Sequence, residues 1–297
     1  MLKPFKINGM APLKQLSQLF YCLILIGFSI PVQAESLQQV FFRVVHEESM
    51  PERASSALQV AVSDYRLSNG ALVSLVSAVH IGDKEYYQKL NELFRSYDIV
   101  LYELVGPPGA TPVPGAQRGG LVNVLQEGFA RFLFASLQLD EIDYSLPNFV
   151  HADVSLEDFQ REAKSRGENF SVLLGKVMLN LLLASTVQQM DSVTFSAPEV
   201  IALYLDVSAR RLFFAESLVH YTKTFSSTSL SPIEYYLLDF RNARVLRVLR
   251  DVLRSQPRPE RIAIFYGAAH MADIERRLLH EFGGRLVETR WITAWQL

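Results

Sequence analysis

The chain has 297 residues, of which 49% are hydrophobic and 20% are charged, with a net charge of −2 and a single cysteine. This composition is too apolar for a disordered chain, and the near-neutral charge gives no electrostatic reason to bind nucleic acid. A single cysteine excludes a disulfide scaffold and any zinc or iron–sulfur site built from several cysteines.

Residues 1–34 have the pattern of a secretory signal peptide. Three lysines and no acidic residue precede or border an apolar run from Leu19 to Val32, and Val32-Gln33-Ala34 resembles a cleavage site. The run is shorter than the roughly 18–20 apolar residues of a membrane-spanning helix. We therefore expect cleavage and a periplasmic or secreted protein, with an uncleaved inner-membrane anchor as the alternative. Cleavage would also remove Cys22, which suits an oxidising compartment.

Residues 35–57 are polar and irregular, which predicts a lead-in segment before one domain over residues 58–297. Leu58 to Leu67 has the composition of a strand, and the Asn69-Gly70 pair that follows is typical of a hairpin turn. Ala71 to Val79 is almost continuously apolar, which predicts a buried strand.

The chain then alternates between helical and strand patterns. Asp83 to Phe94 has helical spacing of apolar residues, and Asp98 to Leu104 predicts another buried strand. Residues 106–120 are rich in glycine and proline, which predicts a loop. Residues from about 121 to 254 are mostly helical in pattern, with a loop expected near 145–153.

The C-terminal part returns to the strand–helix–strand order. Arg261 to Tyr266 predicts a strand, Asp273 to Phe282 a helix, and Leu286 to Trp295 a final strand. The sequence therefore predicts an α/β fold in which two β-α-β units form one central sheet, with a large helical insertion between them.

The two end units repeat one motif. In each, a buried strand leads to a small residue, Ser77 or Gly267, and a histidine follows three positions later, His80 or His270. Ligand sites in parallel sheets form at the carboxyl ends of strands. We therefore expect both imidazoles to face one crevice, although each could instead be a hydrogen-bonded core residue.

Glu103 lies at the end of the next predicted strand, on the same side of the sheet. A carboxylate in an apolar run needs a partner, which could be a metal, hydrogen-bond donors or an arginine. Asp83 and Asp273 lie where helices are expected to begin, and we interpret them as helix N-caps rather than ligands.

These motifs resemble those of the TraB/GumN/TIKI family, part of a superfamily that includes ChaN-like proteins and erythromycin esterases. The resemblance rests on residues 77–80, on Glu103, on residues 267–270 and on Arg241-Asn242, and it covers the chain from about residue 58. Ser77 stands where the family has glycine. The resemblance implies a metal-dependent hydrolase such as a peptidase, with the histidines and the glutamate as site residues, although many bacterial members have no established activity.

His80, His270 and Glu103 would be suitable ligands for a divalent transition metal such as Mn, Co, Zn or Fe, which would lower the pKa of a bound water. Alternatively, Glu103 is the general base and the metal is bound by the histidines and a further group. Arg241 is the second candidate catalytic residue: it would hold a substrate carboxylate or an oxyanion, or else form an ion pair with Glu103 or an aspartate. Asn242 would have an indirect role, supporting the residues that form the site.

His151 and Asp153 are second-rank candidates, because a loop before a helix could carry them into the crevice. Ser155 and Asp158 next to them predict a capping box, which favours a structural role. His220 and His280 lie in helical patterns and are predicted to be surface residues or to pack in the core.

The expected partner is a peptide or small-molecule substrate and not nucleic acid. Membrane contact is expected only through an uncleaved signal or a weak surface contact of the arginine-rich stretch 241–258, which is better explained as the solvated face of a helix. Two alternatives to a hydrolase remain: a non-catalytic periplasmic binder of a peptide, haem or metal, and a structural protein whose histidines only pack.

Overall fold

The computed structural model describes residues 41–46, 56–113, 127–128, 130–169, 172, 205–225 and 235–297, with the side chains of 220–225 left aside. The predicted signal peptide, the second half of the predicted glycine-rich loop and much of the predicted insertion lie outside these residues. Within the described ranges, none of the helices is both long enough and apolar enough to cross a bilayer.

The strands, in chain order, are β1 (Phe42–His46), β2 (Ser56–Arg66), β3 (Leu72–Ala78), β4 (Ile81–Gly82), β5 (Ile99–Tyr102), β6 (Ser136–Leu137), β7 (Phe149–His151), β8 (Arg261–Gly267) and β9 (Arg285–Gln296).

The helices are α1 (Lys84–Phe94), α2 (Gln138–Glu141), α3 (Leu156–Ser165), α4 (Val207–Phe225), α5 (Phe240–Arg254) and α6 (Ala268–Glu281), with a π-helical turn at Tyr235–Asp239 before α5.

A mixed seven-stranded sheet forms the centre of the molecule. Its strand order is β1-β2-β3-β8-β5-β7, and β9 pairs with β2. The pairs β3–β8, β8–β5 and β5–β7 are parallel, whereas β2 pairs antiparallel with β1, β3 and β9. The predicted α/β class and single central sheet are confirmed. The carboxyl ends of four neighbouring parallel strands therefore meet at one edge.

The central strands are buried on both faces, which explains their continuous apolar sequences. Every residue of β8 after Arg261 is buried, and so is every residue of β3 after Leu72. The helix α1 covers one face with a stripe of buried side chains at helical spacing. The helices α5 and α6 cover the opposite face with a second apolar cluster.

Three elements differ from the sequence prediction. The strand β1 lies in the stretch predicted as an irregular lead-in, and it is ordered by pairing with β2. The strand β7 lies where a loop was expected, because three residues are too few to show an alternating pattern. The helix α6 begins at Ala268, five residues before the predicted start at Asp273.

Candidate active site

The two predicted histidines lie at the same edge of the sheet. Ala78 and Gly267 are paired in the parallel register of β3 and β8, and each strand ends there. His80 follows two residues beyond Ala78, and His270 lies in the first turn of α6. The fold therefore brings together two residues that the sequence separates widely.

Gly267 marks the point at which the site side chains converge. A Cβ atom placed on this glycine would lie 3.3 Å from Oε2 of Glu103, 3.8 Å from Nε2 of His80 and 3.8 Å from Cδ2 of His270. Glycine is needed here because the backbone passes close to three functional groups, and not because of an unusual φ angle. His80, Glu103 and His270 therefore lie together around Gly267.

The two similar motifs, residues 77–80 and 267–270, are not equivalent in the structure. The sheet register places Ser77 opposite Tyr266 rather than opposite Gly267. After Gly267 a helix begins at once, whereas five residues separate β3 from α1. Ser77 and Gly267 have the same spacing to a histidine in sequence, but they differ by one position in the sheet register. The Ser77 hydroxyl is buried and has no hydrogen-bond partner among the described residues.

Glu103 is the first residue after β5, and both of its carboxylate oxygens are held. Oε2 accepts a 2.6 Å hydrogen bond from the backbone N–H of Gly267, and Oε1 accepts one of 2.6 Å from Nη2 of Arg241. Burial alone would raise the pKa of Glu103, but the positive charge of Arg241 and the neighbouring His270 more than offset it. The pKa of Glu103 is held well below its ordinary value.

Arg241 is buried beneath the site and makes ion pairs with two carboxylates. Its Nε and Nη2 donate to the two oxygens of Asp153 at 3.0 and 2.6 Å, in addition to the Nη2 bond to Glu103. Burial would lower the pKa of Arg241, but Asp153 and Glu103 raise it further above its ordinary value. Of the two roles expected for Arg241, the structure shows the ion pair.

The charges beneath the site do not balance. Two carboxylates, Glu103 and Asp153, face the single guanidinium of Arg241, and all three side chains are at most 8% exposed. The remaining Nη1 of Arg241 lies 3.4 Å from Nε2 of His270. An excess negative charge in a buried cluster favours positive charge nearby, whether on an imidazolium or on a metal ion.

Asn242 determines which nitrogen of His270 carries the proton. Its Nδ2 donates to Asp273 at 2.9 Å, so its Oδ1, 2.7 Å from Nδ1 of His270, is the acceptor. The hydrogen-bond network therefore assigns a proton to Nδ1, while Nε2 lies 3.4 Å from Nη1 of Arg241 and 3.6 Å from Oε1 of Glu103. The predicted supporting role of Asn242 agrees with this geometry.

His80 is oriented in the same way by a residue that the sequence did not single out. Its Nδ1 lies 3.2 Å from Oε1 of Gln138, and Nε2 of Gln138 donates to the Tyr144 hydroxyl at 2.9 Å. The assigned proton is again on Nδ1, and Nε2 lies 3.8 Å from the position of a Cβ atom on Gly267. An amide oxygen thus fixes a proton on Nδ1 of each imidazole.

Of the two aspartates predicted as helix N-caps, only Asp83 occupies that position. Asp83 occupies the N-cap position of α1, but its carboxylate makes no capping bond and instead pairs with Arg211 at 2.9 Å. Asp273 lies in the second turn of α6, where it supports Asn242 and pairs with Arg277 at 2.8 Å. The N-cap prediction for Asp273 is wrong because α6 begins earlier.

His151 lies at the end of β7 and is not brought into the cluster. Its Nε2 is 2.6 Å from the carbonyl oxygen of Leu104, so it bonds to backbone instead. Asp153, its companion in the prediction, does enter as the partner of Arg241. The predicted capping box of Ser155 and Asp158 is present at the start of α3.

The remaining histidines lie elsewhere. His280 is exposed on α6, whereas the side chain of His220 lies outside the described residues. No sequence signal pointed to Gln138, since a single glutamine in a short segment matches no motif.

Imidazole nitrogens beside an excess of negative charge are ligands that a late divalent metal accepts. Nε2 of His270 lies 3.4 Å from Nη1 of Arg241, so a metal bound at that nitrogen would displace this contact. Glu103 is less suited to be a third ligand, since Arg241 and Gly267 hold its oxygens. Within the described ranges, no group of three or more His, Cys, Asp or Glu side chains has the arrangement of a metal site.

No model of a known protein family, no curated protein and no solved structure matches the chain.

Proposed function

We propose that this protein is an exported hydrolase of the TraB/GumN/TIKI type, assisted by a divalent metal and acting on an amide or ester bond of a peptide or small molecule. The observation that carries the proposal is the convergence of His80, Glu103 and His270 on Gly267, at the carboxyl ends of β3, β5 and β8. A structural role for the histidines alone gives no reason for both imidazoles and a buried carboxylate to lie around one glycine.

His80 and His270 would hold the metal through Nε2, since Nδ1 of each is already engaged with an amide oxygen. A bound metal supplies a water of lowered pKa and polarises a carbonyl group. Manganese, cobalt, zinc and iron all accept imidazole ligands, so the donors do not select one of them.

Glu103 acts electrostatically in this proposal. A carboxylate whose pKa is held well below its ordinary value is a weak proton acceptor near neutral pH. Its negative charge instead stabilises positive charge beside the imidazoles, and the Gly267 N–H and Arg241 fix its orientation. Arg241 is a positioning residue, because its guanidinium is buried and bound to Glu103 and Asp153.

The proposed location is the periplasm or the outside of the cell, and it rests on the pattern of residues 1–34. Mass spectrometry of the protein recovered from the periplasm of a bacterial host is expected to show an N-terminus at Glu35. A chain that retains Met1 to Ala34 in the membrane fraction would instead favour the anchored alternative.

The function is tested with a peptide library and a set of small esters, assayed with added Mn²⁺, Co²⁺, Zn²⁺ or Fe²⁺. Wild type is expected to cleave at least one substrate. His80→Ala and His270→Ala are each expected to reduce the rate by a factor of about 10² or more, in line with the loss of a catalytic group. His280→Ala is the matched control, because His280 is exposed on the same helix as His270.

Three results would decide against the proposal. Equal cleavage by wild type and by both histidine variants would point to a contaminating enzyme. Stoichiometric metal or peptide binding without turnover would favour the non-catalytic binder. Neither binding nor turnover, with intact folding in all variants, would favour histidines that only pack.

A further inference from the structure

The segment that follows Ala135 is tied to the His80 loop by backbone and side chain together. Ile81 and Gly82 pair antiparallel with Leu137 and Ser136, forming a separate two-stranded sheet. The backbone N–H of Gln138 donates to the carbonyl oxygen of His80 at 2.9 Å. Gln138 is therefore placed directly beside His80 by the local chain path.

The side chain of Gln138 is buried beside the imidazole, although glutamine is normally an exposed residue. Its residue exposure is 3%, and both ends of its amide are bonded, Oε1 to His80 and Nε2 to Tyr144. Burying an amide is favourable only when its donors and acceptors are satisfied. Here the donor end is directed to Tyr144, which leaves the oxygen for Nδ1 of His80.

From this geometry we infer that Gln138 is a positioning residue for His80: it holds the Nδ1 proton and so aims the Nε2 lone pair at the region in front of Gly267. The role parallels that of Asn242 at His270. Tyr144 accepts from the Gln138 amide, but its hydroxyl can also donate, so it orients that amide less strictly than the carboxylate of Asp273 orients Asn242. This inference rests on the proposed function, in which the oriented His80 imidazole would bind a metal ion or a polarised water.

The parallel has a physical consequence. A histidine in water exchanges its proton between the two nitrogens, and only the tautomer with a free Nε2 can donate that lone pair to a metal. Fixing the tautomer beforehand removes this cost from binding. Removing a side chain that hydrogen-bonds to a metal-binding histidine typically lowers metal affinity by a factor of about 10–100.

The tautomer is measured directly by long-range ¹H–¹⁵N NMR of the imidazole rings in the full chain at about pH 8, where an ordinary histidine is neutral. His80→Ala identifies the His80 signals. Wild type is expected to carry the His80 proton on Nδ1. Gln138→Leu removes the acceptor and is expected to shift a measurable share of His80 to the Nε2 proton, with His270 unchanged. Gln138→Glu keeps an acceptor at the same length and is expected to retain the Nδ1 proton.

Zinc affinity is the second readout, measured with Zn²⁺ alone. Gln138→Leu is expected to weaken it by a factor of about 10–100, and Gln138→Glu by much less. Gln59→Leu is the matched control, because Gln59 accepts hydrogen bonds from Arg43 on β1, away from the His80 loop.

A wild-type His80 that carries its proton on Nε2 overturns the inference, even if Gln138→Leu does not fold. So does a folded Gln138→Leu that keeps the Nδ1 proton. The tautomer does not depend on turnover, so the expected NMR result in a protein that cleaves nothing would support this inference and contradict the proposed function.

Discussion

Arg241 and Asp153 form a two-pronged buried ion pair, with Nε to Oδ1 at 3.0 Å and Nη2 to Oδ2 at 2.6 Å, across 88 positions of sequence. The same Nη2 also reaches Glu103. One guanidinium thus joins α5 to the chain segments that follow β5 and β7. Asp153 fixes the position of the Arg241 guanidinium through Nε and Nη2. Because the same Nη2 binds Glu103, the position of Glu103 depends on Asp153 as well as on Arg241.

Replacing Arg241 with methionine is expected to destabilise the protein by about 3–5 kcal/mol, because two buried carboxylates lose their partner. Urea unfolding measures this change. Arg250→Ala, on the same helix, is the control: Arg250 pairs with Glu281 at a partly exposed site and is expected to contribute less than about 1 kcal/mol. An equal decrease in the free energy of unfolding in the two variants would show that the buried cluster contributes no more to stability than the exposed ion pair.

Acid is expected to weaken the fold through Glu103. Its pKa is lower in the folded than in the unfolded chain, so its contribution is complete above the unfolded value of about 4.3 and is lost as the pH falls through the folded value. Glu103→Gln is expected to be less stable than wild type at pH 7, and the difference in the free energy of unfolding is expected to narrow as the pH falls below about 4.3. Urea unfolding at a series of pH values measures it, and a gap that stays constant would contradict the assignment.

Two buried serines of β3 are expected to respond in opposite directions to alanine. The Ser77 hydroxyl has no partner among the described residues, whereas the Ser74 hydroxyl donates to Asp64 at 2.6 Å. An unsatisfied buried hydroxyl costs about 1–3 kcal/mol, so Ser77→Ala is expected to leave stability unchanged or raise it, and Ser74→Ala to lower it by about 1–3 kcal/mol. Thermal and urea unfolding of the pair test this, and a large loss in Ser77→Ala would reveal a bond or a ligand at that hydroxyl.

Gly267→Ala is expected to impair the site more than the fold. The added methyl would lie 3.3 Å from Oε2 of Glu103, so the carboxylate must shift, but the φ of −52° at Gly267 suits alanine without strain. We expect at least a tenfold loss of zinc affinity or hydrolysis, because the methyl also enters the space between the imidazoles, with a loss of stability below about 2 kcal/mol. Gly128→Ala, where nothing lies within 4 Å of the new methyl, serves as the control. Unchanged zinc binding in Gly267→Ala would place the ligand elsewhere.

The sequence by itself determined the strands and helices whose apolar pattern is long. Residues 71–79 and 261–266 are almost continuously apolar because they are buried on both faces, and α1 shows its buried stripe at helical spacing. The sequence also predicted that the two histidines lie close together, because each follows a strand and the carboxyl ends of parallel strands meet at one edge of the sheet. The importance of Glu103 followed from the cost of a carboxylate in an apolar run.

Only the tertiary structure decided how these residues are connected. The pairing of Arg241 with Asp153, the offset between Ser77 and Gly267, and the contact of Gln138 with His80 all join segments that are distant in sequence or depend on sheet register. Periodicity reports which side of an element is buried, but not which side chain it meets. Hydrogen bonds and ion pairs depend on differences of a few tenths of an ångström in the distance between two groups. Those distances are fixed only when β3, β5, β8 and α5 have packed together.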